Sequence, residues 1–383
     1  MAKILEDVRV LDLTHVYFGP YATMLLADMG AEVIKIEPPW GDETRYYPPL
    51  YGGMSAVYLF FNRNKKGMTL NLKHPKGKEI FFQLLRDSDV VVENFKPGTM
   101  ERLGLGYEEL KKVKSDIIYA TLSGFGRTGP YSRRPSFAPI ASAMSGWMVL
   151  NGRLVDPNGP PVRAAEWHGD LDPALFAVIA ILAALRHRDR TGEGQMVDVA
   201  QYDCMISQTG VAITSYLMRT LAGEKEKPPT PPTALLRTFG MFKASDGYVY
   251  IAADPRMRER LLRGMGVEKL ERTEELEEWV AQRTVKEVVD ALVAADVPVA
   301  PVYDVSQTVE DPQTKARNMI VTLEHPTAGV VQVPNFPIKF EKTPGGVWTP
   351  APTLGQHNEE ILRNLLGYSK EEIEALRKEG VIT

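Results

Sequence analysis

Short apolar segments alternate with amphipathic ones along the first part of the chain. Runs rich in Val, Ile and Leu predict strands at residues 8–13, 32–36, 68–72, 89–93, 117–122 and 196–200. Apolar residues at helical spacing predict helices at residues 20–29, 77–86 and 107–113, and a helix that begins at residue 171 and ends in the arginine-rich segment 186–190. Strands that alternate with helices predict an α/β fold, with a mostly parallel sheet covered on both faces.

The pattern changes after residue 200. One long helix is predicted at residues 202–221, followed by a charged, proline-rich linker at residues 224–232. The later elements are strands at 239–243, 248–252 and 299–303, helices at 255–265, 273–282 and 285–295, two strands flanking 327–329, and polar amphipathic helices at 358–365 and 370–378. These elements predict a large Rossmann-like domain at residues 1–222, a smaller α+β domain at 223–336, and a C-terminal segment at 337–383 that returns to the large domain.

Composition narrows the possible classes of protein. The chain has 383 residues, 25% charged and 44% apolar residues, and a net charge of -4, which is ordinary for a soluble protein of two domains and gives no support for nucleic-acid binding. No signal peptide is evident, and the apolar run at 171–185 is shorter than a bilayer requires. The single cysteine, Cys204, lies in an apolar stretch and is interpreted as a buried thiol. We therefore expect a cytoplasmic protein without membrane contact.

Motifs for common cofactors are absent or incomplete. Glu37 ends the second predicted strand, where an acidic residue could bind a ribose hydroxyl of a dinucleotide. The preceding turn has only Gly19 where the dinucleotide fingerprint has three glycines. The six histidines show no spacing typical of metal ligands. Neither a nicotinamide cofactor nor a metal is therefore expected.

The stretch Glu166-Trp-His-Gly-Asp170 precedes the most apolar predicted helix. Asp170 is typical of an N-cap, with the helix beginning just behind it, and such a carboxylate would stay ionised near the positive end of the helix. A functional interpretation is also open, because the helix is apolar on nearly every face and its start would then be buried. Trp167 and His168 add an aromatic wall and a titratable group, and Gly169 would let a ligand approach the backbone.

A glycine-rich loop, Ser123-Gly-Phe-Gly-Arg-Thr-Gly-Pro130, follows a predicted strand and is itself followed by Arg133 and Arg134. In open α/β sheets the ligand crevice lies at the carboxyl ends of the strands. Glycines also form plain turns, so this loop is either a ligand-binding segment or an ordinary connection.

Seven motifs together resemble the class III CoA-transferase (CaiB/BaiF) family, which includes formyl-CoA and carnitine CoA-transferases. They lie, in the order typical of the family, at residues 11–16 with Gly19-Pro20, 33–37, 92–98, 124–130, 169–170, 191–195 and 354–360. The likeness extends over essentially the whole chain. The resemblance implies an enzyme that moves CoA from an acyl-CoA donor to a small carboxylic acid, with CoA as a substrate and no tightly bound cofactor.

The resemblance also implies the site residues. Asp170 would be the nucleophile, which attacks the thioester to give an aspartyl anhydride and then an aspartyl-CoA thioester. The residues implied for CoA binding are His15, Val16, Tyr17, Phe18, Leu72, Lys73, Asn94, Phe95, Lys96, Arg102 and Arg134. The residues expected in the substrate pocket are Phe137, Trp147, Trp167 and His168. Backbone N–H groups of the glycine-rich loop would stabilise the oxyanion.

The sequence departs from the family at several positions. Tyr17 and Phe18 stand where relatives often carry smaller or polar residues, and Pro38 stands where some members have an arginine near the nucleotide. The glycine-rich lid of the formyl-CoA enzymes is not found in residues 207–240. The departure at Tyr17 and Phe18 suggests an altered acyl or pantetheine pocket.

Two alternatives remain from the sequence. An α-methylacyl-CoA racemase shares the family fold but needs a base, and here Phe137 and Ala138 stand at the corresponding His and acid positions, so only His168 could substitute. A CoA-binding protein without turnover would keep the fold and lack activity. The resemblance also implies a homodimer of two interlocked, ring-like chains.

Overall fold

The computed structural model describes residues 2–224 and 237–383. By internal contacts the chain forms two compact units, residues 1–218 with 318–383, and residues 219–317. The sequence placed the domain boundaries at 222/223 and 336/337, so the strands that flank residues 327–329 belong to the larger unit instead. Most of the predicted linker, residues 225–232, lies outside the described residues.

The larger unit begins with a parallel α/β arrangement. Its strands are β1 Arg9–Asp12, β2 Glu32–Glu37, β3 Leu50–Tyr51, β4 Met54–Ser55, β5 Lys66–Thr69, β6 Val90–Glu93, β7 Ile118–Ser123 and β8 Met196–Ala200. Its helices before the smaller unit are α1 Phe18–Asp28, α2 Ala56–Phe61, α3 Pro75–Arg86, α4 Thr99–Leu103, α5 Tyr107–Val113, α6 Ala138–Met144, α7 Trp147–Val155, α8 His168–Thr191 and α9 Gln201–Gln208. The next helix, α10 Gly210–Leu221, crosses the boundary between residues 218 and 219.

The remaining elements follow in chain order. The strands are β9 Phe239–Lys243, β10 Tyr248–Ala252, β11 Val299–Pro301, β12 Ile320–His325 and β13 Gly329–Pro334. The helices are α11 Arg258–Met265, α12 Thr273–Ala281, α13 Val285–Ala294, α14 Val305–Glu310, α15 Pro312–Ala316, α16 Asn358–Asn364 and α17 Lys370–Lys378. Short 3₁₀ turns occur at Glu43–Tyr46 and Pro255–Met257.

The central sheet confirms the predicted α/β class. Its six strands pair in the order β5-β2-β1-β6-β7-β8, and every pair is parallel. β1 lies at the centre, where Val10 pairs with Val33 on one side and with Val90 on the other. The chain runs outward from β1 in one direction and then returns to extend the sheet in the other, which creates a crevice at the carboxyl ends of β1 and β6.

Alternate residues of the strands face two separate cores. Val10, Val90 and Val92 face a core covered by α1 and α8. Leu11, Val91 and their neighbours face a second core formed with α3, α5 and the two C-terminal helices α16 and α17. Both faces of the inner strands are buried, as is typical of parallel sheets, and the charged residues Lys35 and Glu37 on β2 are paired in the interior.

The smaller unit has its own sheet and core. β9, β10 and β11 pair in antiparallel fashion in the order β11-β10-β9. Their inner side chains Phe242, Val249 and Ile251 pack with Leu261, Trp279 and other residues of α11–α13. An antiparallel sheet with helices on one face is an α+β arrangement, as the sequence predicted for this part of the chain.

The helix that contains Asp170 differs from the prediction in length and burial. α8 has 24 residues, and within the described part of the chain it is the one helix long and apolar enough, by length and composition, to cross a membrane. The prediction had the helix begin at residue 171, whereas α8 begins at His168, and the predicted end in the arginine-rich segment 186–190 is close to the observed end at Thr191. One side of α8 packs into the first core, whereas Leu175 and Ile179 on its other side are 46% and 63% exposed. The prediction that the helix is buried as a whole is therefore wrong, whereas the predicted burial of its start is confirmed at Gly169 and Asp170.

Candidate active site

The loops after β1 and β6 lie at the carboxyl edge of the sheet and are joined by two hydrogen bonds. The His15 backbone N–H donates to Asn94 Oδ1 at 2.8 Å, and Asn94 Nδ2 donates to the His15 carbonyl at 2.8 Å. This edge is where open α/β sheets bind ligands. The reciprocal pair of hydrogen bonds fixes the spacing of the two loops.

A cavity of about 300 Å³ lies at this edge and contains Asp170. The segments after β1, β6, β7 and β8 all contribute to its wall. The lining residues are His15, Val16, Tyr17, Phe18, Glu43, Asn94, Phe95, Leu122, Ser123, Gly124, Ser136, Phe137, Asp170 and Gln201. The structure therefore brings the first loop, the glycine-rich segment and Asp170 together, as the resemblance implied.

Asp170 is not an N-cap, which corrects the first interpretation of this residue. α8 begins at His168, the N-cap residue is Trp167, and Asp170 is the third helical residue. The Asp170 backbone N–H donates to the Trp167 carbonyl at 2.8 Å. Since the helix does not need this side chain as a cap, the carboxylate is available for chemistry.

Burial changes the ionisation of Asp170. The residue is 9% exposed, and this burial raises its pKa from 3.8 to about 7, although a hydrogen bond from Gln201 opposes the rise. The expectation that Asp170 is fully ionised at neutral pH was therefore wrong. The position of Asp170 near the helix start does not cancel this rise in pKa, because the free-energy cost of burying the charged carboxylate is larger. A carboxylate with this pKa is a stronger nucleophile when it is ionised.

Gly169 has a packing role that the sequence did not show. A Cβ atom at this position would lie 2.3 Å from the Ala138 carbonyl oxygen. The missing side chain therefore allows α6 to approach the start of α8 closely. The predicted role, close approach of a ligand to the backbone, stays a prediction.

Gln201 is a site residue that sequence reasoning missed. It is 5% exposed, directly follows β8, and donates a hydrogen bond through Nε2 to Asp170 Oδ1. Ser136 Oγ donates to Gln201 Oε1 at 3.1 Å. The sequence signal that could have identified Gln201 was its position directly after a strand, because a polar residue at the carboxyl end of a parallel strand faces the ligand crevice.

A second cavity of about 520 Å³ adjoins the first, since His15, Glu43 and Phe95 line both. Its wall is mostly apolar, with exposed rings of Trp40 and Tyr46 at its edge. The other lining residues are Leu13, Ile36, Glu37, Pro38, Gly41, Leu70, Asn71, Leu72, Lys73, Thr99 and Leu103. The two cavities therefore share part of their walls, and the smaller one contains Asp170.

Glu37 lines the second cavity, but its carboxylate is already hydrogen-bonded to neighbouring side chains. Its carboxylate accepts hydrogen bonds from Arg45 Nη2 at 2.6 Å and from the Tyr58 hydroxyl at 3.1 Å. The Arg45 guanidinium also lies 3.8 Å above the Tyr58 ring. Glu37 is therefore not free to bind a ribose.

The predicted CoA-binding residues fall into three groups. His15, Val16, Tyr17, Phe18, Asn94 and Phe95 line the cavity of Asp170, and Leu72 and Lys73 line the larger cavity. Lys96, Arg102 and Arg134 line neither cavity. Arg102 donates to Thr99 Oγ1 at 2.9 Å, and Arg134 stacks on Tyr131 at 4.6 Å.

Of the predicted pocket residues, only Phe137 lines the cavity of Asp170. Trp147, Trp167 and His168 surround a separate cavity of about 10 Å³. Trp167 still approaches the first loop, with its ring 6.3 Å from that of Tyr17. His168 Nδ1 lies 3.3 Å from Asp172 Oδ2, so the histidine considered as a substitute base is engaged elsewhere.

The loop after β1 is held in a strained conformation by buried charges. Val16 has φ of +71°, a region that β-branched residues rarely adopt. The preceding Thr14 is fixed by hydrogen bonds from its N–H and hydroxyl to Asp12 Oδ1, and its carbonyl accepts from Lys35 Nζ at 2.8 Å. Strain of this kind persists only where surrounding contacts over-determine the backbone, and it is often found at functional sites.

Comparisons with known proteins agree with this geometry. The family model described as CoA-transferase family III matches residues 5–358. The chain is 35% identical to succinyl-CoA:glutarate CoA-transferase of Homo sapiens, covering 99% of this chain and 90% of that protein, and 34% identical to formyl-CoA:oxalate CoA-transferase of Streptomyces coelicolor, covering 100% of both. A crystal structure of a CaiB/BaiF family protein from Brucella suis superposes with a TM-score of 0.83 at 30% identity, covering 95% of this chain and 100% of that one.

Proposed function

This chain belongs to CoA-transferase family III, and we propose that its reaction proceeds through covalent attachment of the substrates to Asp170. The chain is a class III CoA-transferase, which acts on an acyl-CoA and a carboxylic acid. The observation that supports the covalent route is a buried aspartate that lines a cavity joined to a larger, mostly apolar one.

The proposed sequence of steps begins with attack by the Asp170 carboxylate on the thioester carbonyl carbon. The C–S bond breaks, the CoA thiolate leaves, and an acyl-aspartyl anhydride remains. The thiolate then attacks the aspartyl carbonyl carbon and releases the donor acid, which gives an aspartyl-CoA thioester. An acceptor carboxylate reverses these steps and leaves as the new acyl-CoA.

The two adjoining cavities suit the parts of CoA. The larger cavity offers apolar walls to the pantetheine arm and adenine, and Lys73 offers an ammonium group to phosphate. Binding energy from these remote parts can position the thioester at Asp170. The names of two relatives pair succinyl-CoA with glutarate and formyl-CoA with oxalate, so small dicarboxylic acids are the first acceptors to assay.

Covalent trapping tests the proposal. The protein is incubated with an acyl-CoA, treated with hydroxylamine, digested, and examined by mass spectrometry. We expect modification of Asp170 that depends on the acyl-CoA. A racemase would exchange the α-proton of its substrate for deuterium without an adduct, and a binding protein would do neither.

The raised pKa of Asp170 predicts a pH dependence. Only the ionised carboxylate attacks, so kcat/KM should rise about tenfold per pH unit below pH 7 and level off above it, with about one-tenth of the plateau value at pH 6. An aspartate with a pKa of 3.8 would give a flat profile over the same range. Steady-state kinetics from pH 5 to 9 with one acyl-CoA measure this, and a flat profile would contradict the assignment.

Lys73 is expected to contribute to CoA affinity. Lys73→Ala should weaken CoA binding about tenfold or more, because hydrogen bonds to charged groups contribute about 1.5–3 kcal/mol. Calorimetric titration with CoA at fixed salt measures the change. Lys76→Ala is the matched control, since Lys76 is 49% exposed, pairs with Glu379 at 3.1 Å and lines neither cavity. Equal CoA affinities of the two variants would show that Lys73 does not contribute to CoA binding.

We also propose that the protein is a homodimer, with the two chains interlocked. The support is the apolar helix α10, whose side chains are largely exposed among the residues that the structure describes. Along α10 the exposed fractions are 88% for Val211, 52% for Leu217, 62% for Met218 and 82% for Leu221. Exposed apolar patches of this kind mark interaction surfaces.

Light scattering should give about twice the chain mass of 42.7 kDa. Mixing tagged and untagged protein should yield no mixed dimers under native conditions, because interlocked chains cannot separate without unfolding. Mixed dimers should form after joint denaturation and refolding. A monomer in solution would contradict dimerisation, and rapid native exchange would contradict interlocking.

A further inference from the structure

Gln201 touches the reacting group yet has no role in the steps described so far. Its side chain is buried and its Nε2 donates a hydrogen bond to Asp170 Oδ1. We propose that the Gln201 amide is a catalytic oxyanion donor, which stabilises negative charge on Asp170 Oδ1 whenever the carbonyl carbon of acylated Asp170 is attacked. This inference rests on the covalent function proposed above.

The orientation of the Gln201 amide is fixed by Ser136. The Ser136 hydroxyl donates to Gln201 Oε1 at 3.1 Å, which directs the N–H₂ end toward Asp170. Gly124 makes room for this contact, since a Cβ there would lie 2.1 Å from Ser136 Cβ. The glycine-rich segment therefore supports the site by letting Ser136 orient the amide. A preorganised donor of this kind needs no rearrangement when charge develops.

The hydrogen bond distinguishes the two carboxylate oxygens. Gln201 engages Oδ1, and within the described part of the chain no donor contacts Oδ2, so Oδ2 is the attacking oxygen. After attack, Oδ2 bridges the anhydride and Oδ1 is the aspartyl carbonyl oxygen. The CoA thiolate then adds to Cγ, and an electron pair moves onto Oδ1. Collapse breaks the Cγ–Oδ2 bond, and Oδ2 leaves with the donor carboxylate.

The amide should act on these steps and not on the first one. When Asp170 attacks the acyl-CoA, negative charge develops on the acyl oxygen of the substrate and leaves Oδ1. When the aspartyl carbon is attacked, charge develops on Oδ1 beside the Gln201 N–H. Only interactions that strengthen in a transition state accelerate that step. Gln201 should therefore speed conversion of the anhydride into the aspartyl-CoA thioester.

Gln201→Met tests this assignment, because methionine nearly preserves the volume and removes the donor. Wild type and variant are mixed with an acyl-CoA that labels wild-type Asp170, succinyl-CoA being tried first, and are acid-quenched at short times. Intact mass spectrometry separates the acyl adduct from the CoA adduct. We expect mainly the CoA adduct in the wild type. In the variant we expect the acyl adduct to accumulate, with its conversion slowed about 10²–10³-fold.

Two further variants make the test decisive. Ser136→Ala removes only the hydroxyl that orients the amide, at a partly exposed position, and should shift the adducts in the same direction by a smaller factor. Gln208→Met, on the exposed side of the same helix, should leave the ratio unchanged. An unchanged ratio in folded Gln201→Met, or loss of both adducts, would overturn the inference. Absence of any adduct in the wild type would overturn the proposed function instead.

Discussion

Replacing Asp170 with Asn is expected to reduce CoA transfer by about 10⁴-fold or more. The amide cannot attack a thioester, and removal of a covalent nucleophile typically has an effect of this size. The variant should still fold, because a neutral Asn at a position that is 9% exposed avoids the cost of burying a charge. At pH 8, where Asp170 is ionised, the free energy of unfolding should therefore stay equal or increase. Steady-state transfer kinetics and urea unfolding of the same preparation measure both expectations.

Asp172→Asn is the matched control for this experiment. Asp172 lies on the same helix two residues further on, pairs with His168 at 3.3 Å and does not line the cavity. Its removal should change the rate by less than about fivefold, since partly exposed ion pairs contribute at most about 1 kcal/mol. Transfer by Asp170→Asn within tenfold of the wild-type rate would refute the nucleophile assignment.

Regular elements with a strong period were predictable from the sequence. β8 and helix α5 have the predicted bounds, as do β9 and β10. The long helix predicted at 202–221 is instead two helices, α9 and α10, that meet at Thr209. The Thr209 hydroxyl donates to the carbonyls of Met205 at 3.2 Å and Ile206 at 3.1 Å. Bonds of this type bend helices, and no hydrophobic pattern records them.

α7 was missed for a different reason. Its apolar residues Leu154 and Val155 are 86% and 78% exposed, and Gly152 is the buried residue of the helix. A helix is predicted from the sequence when its apolar residues recur on one face that packs against the core of the same chain, and the apolar residues of α7 do not do so. The exposure of these two apolar side chains could therefore not be predicted from the period of the sequence.

The candidate site was likewise predictable from the sequence only in part. The position of Asp170 at the edge of the sheet followed from its place before an apolar helix and from the family motifs. The ionisation of Asp170 did not follow, because it depends on burial by residues distant in sequence. The contact with Gln201, 31 residues away, was equally hidden. Order along the chain predicts which loops meet at a sheet edge, whereas hydrogen bonds within the site require coordinates.

Replacing Lys65 with Met is expected to lower the free energy of unfolding by about 3–5 kcal/mol, because it leaves an unpaired charge in the core. Lys65 is fully buried, and its Nζ donates to Asp12 Oδ2 at 2.9 Å, to the Pro20 carbonyl at 3.0 Å and to Asn62 Oδ1 at 3.0 Å. Burial alone would raise the pKa of Asp12, but Lys65 and Lys35 hold it at about 2. Without Lys65 the Asp12 carboxylate loses the charge interaction that most strongly offsets the cost of its burial.

The effect should also reach the active site. Asp12 fixes Thr14, which precedes the strained Val16, so a displaced Asp12 loosens the loop that lines the Asp170 cavity. Urea unfolding measures stability, and the KM for acyl-CoA should rise in folded Lys65→Met. Lys66→Met is the matched control, since the neighbouring lysine is 35% exposed and pairs with Glu32 and Glu360 near the surface, where ion pairs contribute at most about 1 kcal/mol. Equal stabilities of the two variants would contradict the predicted cost of breaking the buried pair, and an unchanged KM in folded Lys65→Met would show that the pair does not hold this loop.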